Sequence, residues 1–284
     1  MDDDFLQDLF IDLSDPIRRQ IISILHNTNS KQQSDLKEIL DVNDQELGRN
    51  LKRLEERNLI KFNRHSGRPG NNEDRKSGNE ISLSVLGQWL YPQLSAITVF
   101  DKHKQYFTEH SSFHLPAVFR QNINIILNSP FQIVEGYTNV CQKWIDMYRN
   151  TDHGQYIHSA KSEVSLNMIY ESFEAIYFRN VKYKYILQKN FRGSKDRREK
   201  LKRLRWEKLI YEGRIERGML EDIPVVVILN EKEAAISFPK DGKADIDKCL
   251  YSKDPLFHQW CEEYFEYLWK DCLIFRDEWI IEGE

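Results

Sequence analysis

Gln33-Ser34-Asp35-Leu36-Lys37-Glu38-Ile39-Leu40, the break Asp41-Val42-Asn43, and Asp44-Gln45-Glu46-Leu47-Gly48-Arg49-Asn50-Leu51-Lys52-Arg53-Leu54-Glu55-Glu56-Arg57-Asn58-Leu59-Ile60 form the stretch that decides the fold. Leu36, Ile39 and Leu40 predict a short helix, with Ser34 as its cap. Asn43, followed three residues later by Glu46, resembles a capping box with Asn as the cap. Leu47, Leu51 and Leu54 then supply the buried stripe of a second helix. Asn58 falls where that helix must stop, because Asn tolerates the left-handed backbone needed there. Upstream, Asp15-Pro16 is an N-cap and first-turn pair ahead of Ile17, Ile21, Ile24 and Leu25. Downstream, Leu59 to Arg64 and Asn79 to Leu83 read as short strands, joined by the turn-rich Ser66-Gly67-Arg68-Pro69-Gly70-Asn71-Asn72. Ser84 to Phe107 predicts another helix, with Leu86, Leu90, Leu94, Ile97 and Phe100 on one side and a kink or break at Pro92.

Around this stretch the charge is uneven. The chain has 284 residues, 41 Lys plus Arg and 45 Asp plus Glu, for a net charge of −4. That length suggests about two domains at roughly 150 residues each. Asp2, Asp3, Asp4, Asp8, Asp12 and Asp15 make the first fifteen residues acidic, whereas Arg49 to Lys76 holds nine basic against four acidic residues, a local +5. A second basic block lies between Lys182 and Arg217. Apolar runs such as Val225 to Leu229 fall far short of the ~20 residues of a membrane span. The start Met1-Asp2-Asp3-Asp4 is the reverse of a basic signal-peptide opening. Cys141, Cys249, Cys261 and Cys272 are scattered without a C-x-x-C pair, as expected of reduced thiols in a cytoplasmic protein. His65, His103, His110, His114, His153 and His258 show no metal-site spacing. No phosphate-loop, dinucleotide, nucleophile-elbow or zinc-protease motif occurs, so no catalytic residue, metal or cofactor is expected.

The remainder alternates. Strand-like runs occur at Phe131 to Glu135, Tyr156 to Ala160, Val181 to Leu187, Ile215 to Leu220, Pro224 to Leu229 and Ala234 to Phe238. Helical patterns at Tyr137 to Tyr148, Glu163 to Phe178 and Ser194 to Tyr211 separate the first of these. That order predicts an α/β layer, with the three later runs added as antiparallel strands. Asp241-Gly242-Lys243 reads as a turn between the last strand and a helix opened by Asp254-Pro255. Ligands of open α/β sheets bind at the carboxyl ends of strands, which here deliver Glu135-Gly136-Tyr137 and Ser159-Ala160-Lys161. A small polar or anionic effector would take its charge from Lys161 and hydrogen bonds from Tyr137 and Ser159. Ordinary loop residues are the alternative.

A helix, a three-residue turn, an amphipathic helix with basic outer positions and a basic hairpin suit insertion of the second helix into the DNA major groove. Gln45 and Arg49 can read adenine and guanine edges. Lys52, Arg53, Arg64, Arg68 and Arg75 suit phosphates. Gly48 either lets DNA approach the backbone or is a tolerated surface glycine. Across about Ser14 to Leu90 these residues resemble archaeal winged-helix transcription regulators of the ArsR-like kind, with Asp41 and Asn58 standing where glycines are usual. From roughly Gln105 to Cys272 the chain resembles the sensor domain of the methanogenesis-regulatory-protein type. That likeness rests on His110, Leu115-Pro116, Ile123 to Leu127, Ala235-Ile236-Ser237-Phe238-Pro239, Asp241-Gly242-Lys243, Asp254-Pro255, Trp260, Phe265 and Trp269.

Such a sensor resembles half of a phospholipase-D-like α/β fold. Ile157-His158-Ser159-Ala160-Lys161 has the spacing His-x-x-Lys rather than the catalytic His-x-Lys, so catalysis does not transfer. The resemblance implies a winged helix-turn-helix over residues 1–90, a helical linker over 91–108 and an α/β sensor over 109–284. Because helix-turn-helix proteins commonly read two half-sites, a homodimer is expected, held by Ser84 to Phe107, with the aromatic final helix as a further contact. An intradomain core helix is the alternative for Ser84 to Phe107. Double-stranded DNA is the expected partner, with regulation by a small molecule or by assembly. A phospholipase-D-like enzyme with a DNA-targeting module and a protein-binding winged helix are the rival readings. The block Lys182 to Arg217 is open to three: a solvated helix, accessory contact with DNA, or an anionic-ligand site.

Overall fold

Local signals set the first elements. In the computed structural model, helix α1 (Asp3–Ser14) is followed by α2 (Pro16–Thr28), whose cap Asp15 accepts from the backbone N–H groups of Ile17 and Arg18. Strand β1 (Ser30–Gln32), helices α3 (Gln33–Leu40) and α4 (Asp44–Glu56), strands β2 (Ile60–Asn63) and β3 (Glu80–Leu83), and helix α5 (Val85–Lys102) follow. The structure describes residues 3–63, 80–156, 166–189, 191 and 193–274. The chain divides into two units, Met1–Asp101 and Lys102–Glu284.

In the first unit β3 pairs antiparallel with β1 on one side and β2 on the other. Its core joins Leu9 and Leu13 of α1, Ile21, Ile22 and Leu25 of α2, Leu36 of α3, and Leu47, Leu51 and Leu54 of α4 to Leu59, Ile60, Ile81 and Leu83. Asp41 and Asn58 are left-handed, with φ of 52° and 55°, as their turns require. The expected cap Ser34 is not one: α3 starts at Gln33, and Gln32 precedes it with no side-chain cap. Pairing of β1 with β3 continues to Gln32 and so delivers the chain into the helix two residues early. Ile39, expected inside, is 54% exposed.

Helix α5 runs through Pro92 and stops at Lys102, so the break falls at His103 rather than at the proline. Leu90 and Leu94 pack on the core, while Leu86, Ile97 and Phe100 of the expected stripe are exposed. A Cβ at Gly87 would lie 2.1 Å from the Leu59 carbonyl oxygen, so only glycine allows this helix its approach.

The second unit begins with three short helices, α6 (Lys104–Glu109), α7 (Ala117–Gln121) and α8 (Asn124–Asn128), then β4 (Gln132–Glu135) and α9 (Tyr137–Arg149). Next come β5 (Gln155–Tyr156), α10 (Leu166–Phe178), β6 (Tyr183–Gln188), α11 (Lys195–Arg203) and α12 (Trp206–Tyr211). Strands β7 (Ile215–Leu220), β8 (Val226–Leu229), β9 (Ala234–Ser237), β10 (Pro239–Lys240), β11 (Lys243–Ala244) and β12 (Lys248–Ser252) lead to α13 (Pro255–Lys270) and β13 (Leu273–Ile274). A five-stranded sheet in the order β4-β12-β9-β8-β5 is antiparallel throughout.

This sheet is buried on both faces, and the alternation of its side chains divides two cores. Val226, Ile228, Ala235, Cys249 and Tyr251 pack with Trp144 and Ile145 of α9, Met168 and Ile176 of α10, and Trp206 of α12. Val227, Leu229, Ile236 and Leu250 pack with Phe119, Ile126, and Phe257, Trp260 and Phe265 of α13.

The structure therefore combines helices and strands in an α+β arrangement, and among the described residues the expected α/β layer has one parallel pair, β6 with β7. Strand β7, expected to be antiparallel, runs parallel to β6 and pairs with β13 on its other edge. Asp241 and Gly242, with φ of 51° and 71°, form the two-residue turn of the β10–β11 hairpin. The turn is as expected, but an unforeseen strand, β12, intervenes before the last helix and lies between β4 and β9. The helix expected over Ser194 to Tyr211 is broken in two at Arg205, which is left-handed with φ of 52°. Among the described residues, no helix is long and apolar enough to cross a membrane.

Candidate nucleic-acid interface

The turn between α3 and α4 places the candidate residues. Asp41 N–H bonds back to the carbonyls of Lys37 and Glu38, closing α3. Asn43 Oδ1 accepts from Glu46 N at 2.9 Å, opening α4, and Lys37 Nζ reaches Asp44 at 2.7 Å across the turn. With Leu47, Leu51 and Leu54 inside, Gln45, Gly48, Arg49 and Lys52 occupy positions i, i+3, i+4 and i+7 on the outward side, so they form one row. Gln45, Arg49 and Lys52 are exposed. Among the described residues an added Cβ at Gly48 would meet nothing within 4 Å, so none of them requires glycine there. Lys52 Nζ lies 3.9 Å from Glu56 with its side chain 76% exposed.

Arg53 sits differently. Its guanidinium approaches Asp12 at 3.1 Å and Glu56 at 3.4 Å. The Asp12 carboxylate, with a side chain only 1% exposed, also accepts from Arg18 and, at 2.7 Å, from Arg57 Nε. Arg57 reaches Asp8 at 2.6 Å, and Arg18 Nε donates to Asn50 Oδ1 at 3.1 Å. Burial opposes ionisation of Asp12, but the Arg57 hydrogen bond and the charges of Arg53, Arg18 and Arg57 outweigh it and hold the carboxyl below its ordinary value. The acidic N-terminal helix thus neutralises one side of α4, leaving Arg49 and Lys52 on the other. Sequence reasoning assigned Arg53 to phosphate and overlooked this cluster. Its signal was the matching four-residue spacing of Asp8 with Asp12 and of Arg53 with Arg57. Arg64, Arg68 and Arg75 lie outside the described residues.

In the second unit Tyr137, 39% exposed, opens α9 directly after β4. Gly136, with φ of 91°, joins the two, and its N–H donates to Asp247 O at 2.7 Å. Ser159 and Lys161 lie outside the described residues. A separate polar cleft of about 440 Å³ includes Arg149, Arg179, Lys232 and Glu233 in its lining. Its donors are engaged: Arg179 bonds the carbonyls of Tyr148, Arg149 and Thr151 at 2.6–2.9 Å, and Lys232 that of Asn150 at 2.9 Å. These cations close the C-terminal end of α9. Glu231 accepts from Asp152 N at 2.8 Å and His153 N at 3.0 Å. Burial would raise its pKa, yet these N–H groups and Lys232 bring it down to about 2.

No family model matches the sequence, and a search of curated proteins finds no match. Among solved structures the chain is similar to that of TrmBL2, described as an archaeal chromatin protein with a novel mode of DNA binding. The likeness has a TM-score of 0.41 and 14% identity, and covers 89% of this chain and 91% of that one.

Proposed function

We propose that the protein is a non-enzymatic, DNA-binding transcriptional regulator of the cytoplasm. Its N-terminal unit acts as a winged helix-turn-helix, with α4 in the major groove and the segment between β2 and β3 as the wing. The observation that carries this reading is the outward row Gln45, Gly48, Arg49 and Lys52, set by a capped turn and backed by three buried leucines. Gln45 and Arg49 are chemically suited to adenine and guanine edges, and Lys52 to a phosphate. Arg64, Arg68 and Arg75 of the wing supply further phosphate contacts, and Arg53 adds one from the edge of its ion cluster.

A homodimer would present two such heads to half-sites about 34 Å apart. The exposed Val85, Trp89 and Ile97 of α5, and a groove of about 350 Å³ between α2 and α5 that includes Ile22, Tyr91 and Leu94, support pairing through this helix. The second unit would bias the dimer by binding an effector near Tyr137, Ser159 and Lys161, or by assembly.

Gel-shift titration over several salt concentrations tests the reading. Arg49→Ala is expected to weaken specific binding and relax preference at one base position. Lys52→Ala and Arg68→Ala are expected to lower affinity for every sequence and flatten the salt dependence. Unchanged affinity in all three variants would remove α4 and the wing from the interface.

A further inference from the structure

We propose that α11 and the turn after it form a second, sequence-independent surface for the phosphate backbone of duplex DNA. Six of the nine residues of α11, Lys195, Arg197, Arg198, Lys200, Lys202 and Arg203, are basic, and none is buried. From Lys195 to Glu212 eight cations face four carboxylates, a local +4 in a chain whose net charge is −4.

Helix stability does not account for this arrangement. Cations in a last turn complement the helix dipole, but Lys195, Arg197 and Arg198 stand in the first turn, where they oppose it. Arg198 and Lys202 are like charges at i, i+4, which repel on a helix surface. Arg205 holds a left-handed backbone, φ 52°, where glycine would be the unstrained choice. The two charge effects are locally unfavourable and are relieved when a polyanion lies along the helix, and a cation stands at Arg205 despite the backbone cost.

The platform is also held in place. Ser194 Oγ accepts from Arg197 N at 3.1 Å, Leu201 and Leu204 pack on the core, and Lys200 sits 3.9 Å over the Tyr170 ring while donating to Leu166 O at 2.8 Å. The outer side chains stay in water: those of Lys195 and Arg203 are 82% exposed and lie 4.0 and 3.8 Å from Glu199. Lys195, Arg198 and Lys202 form a row at i, i+3 and i+7, in which Arg198 is half-buried and donates to Gly193 O at 3.3 Å. At 1.5 Å per residue it is roughly 10 Å long, enough for about two successive phosphates of one strand. The choice of DNA among polyanions rests on the reading of the N-terminal unit.

The test uses the full-length chain and a mixed-sequence 40-bp duplex, with affinity followed by fluorescence anisotropy against salt concentration. Each lost phosphate contact lowers the slope of log K on log salt by about 0.9. The triple variant Lys195→Gln, Lys202→Gln, Arg205→Gln is expected to lose about 2 to 3 from that slope and about tenfold or more in affinity at low salt. Its melting temperature should not fall, since the removed charges oppose the helix, and Lys202→Arg should retain the wild-type slope. If the triple variant keeps the full slope while Arg49→Ala weakens binding, this surface is refuted and the N-terminal reading stands. If wild type does not bind duplex DNA, both fail. Loss of binding to phosphatidylserine vesicles with DNA binding intact would also overturn the proposal, in favour of a lipid surface.

Discussion

Asp12→Asn tests whether the buried ion cluster holds α4 in place. The carboxylate is 1% exposed and meets three guanidinium groups, those of Arg18, Arg53 and Arg57. Breaking a buried ion pair from one side costs about 3–5 kcal/mol, because the remaining charge is left unpaired. Here the arginine side chains are 16%, 44% and 18% exposed, so water recovers part of that loss. The variant should therefore destabilise the first unit by about 2–4 kcal/mol. For a unit of this size that is a fall in melting temperature of roughly 10–25 °C. Calorimetry reads the transition, and hydrogen exchange over Leu47 to Leu54 locates it.

The pH dependence has a fixed sign. The folded Asp12 carboxyl lies below its ordinary value of 3.8, so its stabilisation is present above that value and is lost as the pH falls through the lower folded one. The gap between wild type and Asp12→Asn should accordingly be constant near neutrality and close in strong acid. A variant melting within about 1 °C of wild type at pH 7 would refute the reasoning.

Gly87→Ala should destabilise the first unit by about 1–3 kcal/mol in a urea melt, because the new methyl meets the backbone of Leu59 and not a movable side chain. Gly48→Ala meets nothing, so it should raise helix stability by about 0.5–1 kcal/mol. If α4 lies against DNA, the same variant should lose affinity in a gel shift, and unchanged affinity would make Gly48 a tolerated surface glycine. Asp254→Ala removes a cap that serves Leu256 N and Phe257 N and also accepts from Ser129 Oγ at 2.8 Å. It should cost the second unit about 1–2 kcal/mol by thermal denaturation.

Features that depend on neighbours three or four residues apart were legible before the chain was folded. Asp15, Asn43 and Asp254 start their helices, Asp41 and Asn58 end theirs, and Leu47, Leu51 and Leu54 are buried, because a cap or a stripe is decided within one helical turn. The outward row of α4 was legible for the same reason, being what remains once the buried stripe is fixed. The chain's path decided the rest. Lys248-Cys249-Leu250-Tyr251-Ser252 offers an apolar run of only three residues, and β12 lies between β4 and β9 because those strands supply its hydrogen bonds. Val226 to Leu229 and Ile215 to Leu220 both read as strands, and nothing in either announces that one pairs antiparallel and the other parallel. Arg53 and Arg49 look alike in sequence. Only the fold brings Asp12, 41 and 45 residues distant from Arg53 and Arg57, against one side of α4, and Coulomb attraction in a partly desolvated cluster then ties Arg53 into the protein's own structure.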